Sequence, residues 1–177
     1  MAQRATYDKV SIALHWTTAF FVVVNFLLAE FWDDFAKPTH HLMVVTHISF
    51  GVLLAAVILL RVFWRGAPAN HVQDATSGLQ ELASKAVHMI LYALVIAQIV
   101  LGILLAWGKG NPLPFFGIPI PSPIGALSKS AHQLVGTLHN YNAWAIIVIA
   151  GGHAAMALVH HFYFRDDVLK RMLPLAK

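Results

Sequence analysis

The sequence predicts an all-α integral membrane protein, a four-helix bundle in up-down order with both termini on the cytoplasmic side. Three observations lead there. Of 177 residues, 58% are hydrophobic and 11% charged, against about 45–50% and about 25% in soluble domains. Four apolar runs reach the roughly 20 residues that a helical membrane span requires. The basic residues fall unevenly between the connecting segments. A chain of 177 residues fits one domain and, once four spans are placed, has no room for a sizeable soluble one.

The first span covers residues 10–31 (VSIALHWTTAFFVVVNFLLAEF), preceded by Arg4 and Lys9 and followed by Glu30, Asp33 and Asp34. It is too long for the apolar core of a signal peptide, about 7–15 residues, and no A-x-A cleavage pattern follows, so it is read as a retained helix. The second covers residues 42–64 and stops at Arg61, Arg65, Gly66 and Pro68; the third covers residues 86–107 and stops at Gly108, Gly110, Asn111 and Pro112. The fourth runs over residues 131–163 and ends at Arg165 and Asp166. Each boundary carries helix-stopping chemistry. Between the third and fourth spans, residues 108–130 are too rich in proline and glycine to span, yet apolar enough to lie across the mouth of the bundle.

Four spans put both termini on one side. Arg4, Lys9, Arg61, Arg65, Lys85, Arg165, Lys170, Arg171 and Lys177 fall on that side, and only Lys37, Lys109 and Lys129 on the other. The positive-inside rule makes the termini cytoplasmic. Cysteine is absent, which excludes disulfides, thiolate-held iron–sulfur clusters and C-x-x-C-H haem attachment. Any metal must therefore be held by nitrogen or oxygen, and the 11 histidines against 8 acidic residues point to imidazole, a ligand suited to haem iron, zinc or copper.

Several histidines lie inside the spans, where polar groups are expensive and usually functional. His139 and His153 are fourteen residues apart, so at about 100° and 1.5 Å per residue they share one helix face about 21 Å apart. That separation suits two cofactors stacked across the membrane, because ligands of a single ion all lie about 2 Å from it. Ile146 fills the stripe between them. Matching by depth pairs His15 with His153 toward the cytoplasm and His47 with His139 toward the outside. Ala19, Gly51, Gly136, Gly151, Gly152, Ala154, Ala155 and Ala157 flank these histidines, leaving room for a flat macrocycle or for close helix packing. His88 is a rival to His15 as inner ligand. His160 continues the stripe toward the cytoplasm, His132 extends it outward, and His161 is turned about 100° from His160. His40, His41 and His71 are read as solvated loop residues.

The histidine pattern, with SIALHW, THISFG, GKGNP and GGHAAMALVHHFYFRDDVLKRMLP, resembles the bacterial cytochrome b561 family over essentially the whole chain, and most closely its small stand-alone members. The resemblance implies a bacterial inner-membrane cytochrome with two haem b groups, ligated by His15 and His153 (inner) and His47 and His139 (outer). It implies oxidation of superoxide to dioxygen at the outer, periplasmic face and passage of the electrons to ubiquinone. Lys37, Lys109, Lys129 and His132 are then candidates for drawing the anion in by electrostatic steering. His160 and His88 are candidates for the quinone site, with Lys85 or Arg165 as electrostatic helpers. The alternatives are an electron-transfer subunit serving a dehydrogenase or hydrogenase partner and, third, a histidine-lined metal transporter.

Overall fold

The computed structural model describes residues 6–67, 72 and 78–173. Arg4, His71 and Lys177 lie outside these residues. Four helices, α1 (Lys9–Phe31), α2 (Lys37–Gly66), α3 (Gly78–Trp107) and α4 (Lys129–Val159), are each long and apolar enough to cross a membrane. α1 packs chiefly on α2 and α3 on α4, with α2 against α3 joining the pairs. His40 and His41, expected in a loop, lie in the first turns of α2, which begins at Lys37 with proline in its opening positions. Proline costs nothing there, because the first turn has no intrahelical acceptor for its missing N–H. His40 Nε2 sits 3.4 Å from an Asp33 carboxylate oxygen.

Helix ends are tied to neighbouring elements. Asp8 caps α1, its Oδ1 accepting from the Ser11 N–H at 2.9 Å and its Oδ2 from the Ser11 hydroxyl at 2.6 Å. The same carboxylate accepts the Trp64 indole N–H at 3.1 Å, fastening the end of α2 to the start of α1. At this terminal end of the bundle the Trp16 indole also donates to the Met172 carbonyl at 2.8 Å, so the chain after α4 folds back over α1.

At the opposite end the 108–130 segment is more ordered than its composition suggests. Leu113–Phe115 pairs antiparallel with Ile118–Ile120, joined by Phe116 (φ 48°) and Gly117 (φ 88°). Two central residues with positive φ are what a tight hairpin with matching strand twist requires. Phe116 tolerates this backbone because its N–H donates to the Ser49 hydroxyl at 2.8 Å. Ser49, fully buried on α2, donates in turn to the Val45 carbonyl at 2.7 Å. Trp107 clamps the second strand through the Ile120 carbonyl at 3.3 Å. The hairpin is therefore fixed to α2 and α3 at what is here called the hairpin end.

The core between the two ends is a single apolar layer. Leu54, Ile58, Val95 and Ile146 are buried together, with Phe21, Val22, Leu94 and Ile99 packed around them. Val22, Leu54, Val95 and Ile146 each lie seven residues after a histidine, respectively His15, His47, His88 and His139. Two helical turns separate layers by about 10 Å, so the bundle alternates histidine, apolar and histidine levels.

Candidate functional site

The histidines within the spans meet in two groups. At the hairpin end, His47 of α2 and His139 of α4 stand with ring centroids 6.2 Å apart. His47 is oriented by α1, since its Nδ1–H donates to the Asn25 carbonyl at 3.0 Å. That arrangement fixes the tautomer and leaves Nε2 without a proton, able to act as a ligand, as carbonyl partners do at metal sites. His139 is flanked by a polar network across α3, in which the Asn142 amide donates to Gln98 Oε1 at 2.7 Å and to the Leu94 carbonyl at 2.9 Å. Gln98 Nε2 lies 3.2 Å from His139 Nε2, and His139 Nδ1 is buried with no hydrogen-bond partner among the described residues. Gly102 supplies the space for this ring, because a Cβ there would come 3.1 Å from His139 Cε1.

At the terminal end three histidines gather. His153 of α4 faces His15 of α1 at 6.5 Å and His88 of α3 at 5.0 Å between ring centroids. His88 Nδ1–H donates to the Ser84 carbonyl at 2.7 Å, the orientation His47 also has. His15 differs, for its Nδ1 accepts from Arg61 Nη2 at 3.0 Å. A metal about 2 Å from one nitrogen of each of two opposed imidazoles sets the ring centroids about 6.4 Å apart. The His47–His139 and His15–His153 separations meet that requirement; His88–His153 is too short for it.

Several of the small residues flanking these rings leave open room. A Cβ built on Gly51, Gly151 or Gly152 would meet nothing within 4 Å, so these glycines are not spent on close helix contact, whereas one on Gly136 would lie 3.6 Å from Leu105. Among the described residues, no three histidine or carboxylate side chains converge tightly enough to hold a bare metal ion. The buried, unpartnered nitrogen on His139 and the two opposed imidazole pairs have the chemistry that a bis-histidine cofactor would need.

His160 occupies a separate position. The last turn of the fourth span, His160–Phe164, winds as a π-helix and ends on Arg165 in the left-handed region at φ 56°. The fixed 100° step between His160 and His161 is therefore not the geometry found, since π-turns close through i→i+5 bonds. The widened turn buries His160 and swings Asp166 back so that its carboxylate accepts from His160 Nδ1–H at 2.6 Å. Burial raises the Asp166 pKa, but hydrogen bonds from His160 and the Val168 N–H, with the charge of Arg171, outweigh it and hold the carboxyl below its ordinary value. Arg165 is exposed, and Lys85 is ion-paired with Glu81 one turn earlier on α3.

Lys37, Lys109 and Lys129 are all exposed at the hairpin end, at the start of α2, after α3 and at the start of α4. Among the described residues none of the three is ion-paired. His132 is half-buried, its ring against Gly108 and its Nε2 unpartnered among the described residues, so it faces the bundle.

The sequence model of prokaryotic cytochrome b561 matches residues 6–175. The chain belongs to that family. This cytochrome b561 is 33% identical to cytochrome b561 homolog 2 of Escherichia coli (strain K12), over 94% of the chain and 90% of the relative. It is 28% identical to cytochrome b561 homolog 1 of the same strain, covering 97% and 98%. Against the probable superoxide oxidase CybB of Yersinia pestis it is 24% identical, covering 95% and 96%. The cytochrome is thus a b-type haem protein of the electron-transfer kind, and its four spans fit a multi-pass protein of a prokaryotic inner membrane.

Asn25, Gln98 and Asn142, which the sequence did not single out, and Arg61 and Asp166, which entered only as span boundaries, hold this site together. The first, second and fourth were detectable as polar side chains inside apolar runs (VVVNFLL, VIAQIVL and VILLRVF), a signal of function by itself.

Proposed function

We propose that this cytochrome b561 is a superoxide:ubiquinone oxidoreductase holding two haem b groups, one between His47 and His139 and one between His15 and His153. The observation that carries the reading is the pair of opposed imidazoles at each of two depths, with an apolar layer between them. Haem supplies a one-electron carrier at each level. The overall reaction balances as two superoxide, one ubiquinone and two protons giving two dioxygen and one ubiquinol.

The chain's own residues supply the rest. With two histidines holding each haem, the metal would have no open position, and the donor would pass its electron without bonding to it. The exposed Lys37, Lys109 and Lys129 at the hairpin end raise the local concentration of a small anion. At the terminal end Asp166 accepts from His160 Nδ1–H and orients the ring, so that Nε2 takes up a proton from the terminal side and passes it to the reduced quinone. His88 borders the same region. The termini are cytoplasmic under this reading and the hairpin faces the periplasm. The likeness to a relative named probable superoxide oxidase, along nearly the full length of both chains, supports the donor.

The test is superoxide-driven ubiquinone reduction by the purified, haem-loaded protein. Quinol formation that stops on adding superoxide dismutase is expected, and His160→Ala should slow it while sparing haem content. Haem-loaded protein inert toward superoxide would instead favour an electron-transfer subunit of a dehydrogenase or hydrogenase, a reading consistent with relatives named only as cytochrome b561 homologs. A second ligand set, His88 with His153, has the Ser84 carbonyl on His88 in its favour and the 5.0 Å ring separation against it. Loss of the inner haem in His88→Ala but not in His15→Ala would establish it.

A further inference from the structure

Arg61 is a half-buried cation near the end of α2, in the run VILLRVF that is otherwise apolar around it. Its guanidinium donates to His15 Nδ1 at 3.0 Å and lies over the Tyr92 ring at 5.1 Å. Among the described residues no carboxylate is within ion-pair distance of it. Arg65, one turn further on, is exposed and lies over the Tyr7 ring at 5.4 Å. An unbalanced charge in this setting is costly, and such residues persist where they serve a function.

We propose that Arg61 is a fixed positive charge that makes the inner haem the better electron acceptor of the two. The inference rests on the two-haem reading. With His15 Nε2 as a haem ligand, Nδ1 would carry the ring proton and would no longer accept from Arg61; the guanidinium would then stay beside the site over the Tyr92 face. Reduction lowers the positive charge at iron by one, and a nearby cation stabilises that state in a region of low dielectric where salt screens little. Among the described residues no arginine or lysine is hydrogen-bonded to His47 or His139; the partners there are the neutral Asn25 carbonyl and Gln98 amide. The two haems therefore differ in electrostatic surroundings in the sense that draws electrons from the hairpin end to the terminal end.

The experiment is a spectroelectrochemical titration of the purified holoprotein, with the two haems assigned by their loss in His15→Ala and His47→Ala. In the wild type the haem lost in His15→Ala should have the higher midpoint potential. Arg61→Gln should lower that potential and leave the other in place, Arg61→Lys should restore most of it, and Arg65→Gln should move neither. If Arg61→Gln does not load haem, Tyr92→Glu places a carboxylate beside the retained guanidinium and should lower the same potential. A higher outer potential in the wild type, an unmoved inner potential in Arg61→Gln and Tyr92→Glu, or equal shifts of both haems would overturn the proposal. A count of one haem per chain would instead remove the two-haem reading on which it stands.

Discussion

Gly102 gives the His139 ring no slack. With a Cβ only 3.1 Å from Cε1, Gly102→Ala forces the imidazole to shift by a few tenths of an ångström, and axial ligation tolerates little displacement. The expected outcome is a weakened or altered outer haem with the inner one unchanged, read as haem content and as a change in one component of the reduced spectrum. The histidines themselves were legible because an imidazole in hydrocarbon stands out against its neighbours. Their depth pairing followed from helix geometry, and the structure brings together both pairs it called for. Their orientation was not legible. Which carbonyl holds His47, and which amide flanks His139, depends on how α1 and α3 are rotated, and a polar residue in a span does not announce its partner. His88 shows the same limit from the other side, since only the relative position of three helices separates a 5.0 Å ring contact from a 6.5 Å one.

Among the elements, the helices were readable from apolar length and stop signals, although α2 and α3 begin ahead of the apolar runs, at Lys37 and Gly78. Polar first turns extend a helix beyond the membrane core without leaving an apolar trace. The hairpin was not readable, because its two strands are three residues each, both contain proline, and its order comes from Ser49 and Trp107 on other elements. The π-turn at His160 was hidden for a similar reason, as it depends on Asp166 folding back. The α1 cap gives a prediction at this scale. Burial raises the Asp8 pKa, but hydrogen bonds from Ser11 and Trp64 outweigh it and hold the carboxyl below 3.8. Asp8 therefore contributes stability that is fully present above its unfolded value and is lost as pH falls through the lower folded value. Asp8→Ala should cost about 1 kcal/mol at neutral pH, and thermal unfolding in detergent should show the gap to wild type closing in acid.

For the whole molecule, the fold class followed from composition and four spans, whereas the direction of insertion rests on the charge asymmetry of the loops. The absence of cysteine makes that direction directly measurable. A cysteine placed at Lys109 should react with a membrane-impermeant maleimide added to spheroplasts, and one at Lys170 only after the membrane is opened. The reverse pattern would invert the assignment of outer and inner haem and with it the sides on which donor and quinone meet the protein.

The central claim is that two opposed histidine pairs hold two haems at separate depths. The most direct measurement is haem stoichiometry, with reduced-minus-oxidised spectra, for the wild type and for single alanine variants of His15, His47, His139 and His153. Two haems per chain are predicted, with His15→Ala and His153→Ala losing one and the same haem and His47→Ala and His139→Ala losing the other. One haem per chain, or a spectrum in which the losses do not sort into these two pairs, would contradict the account.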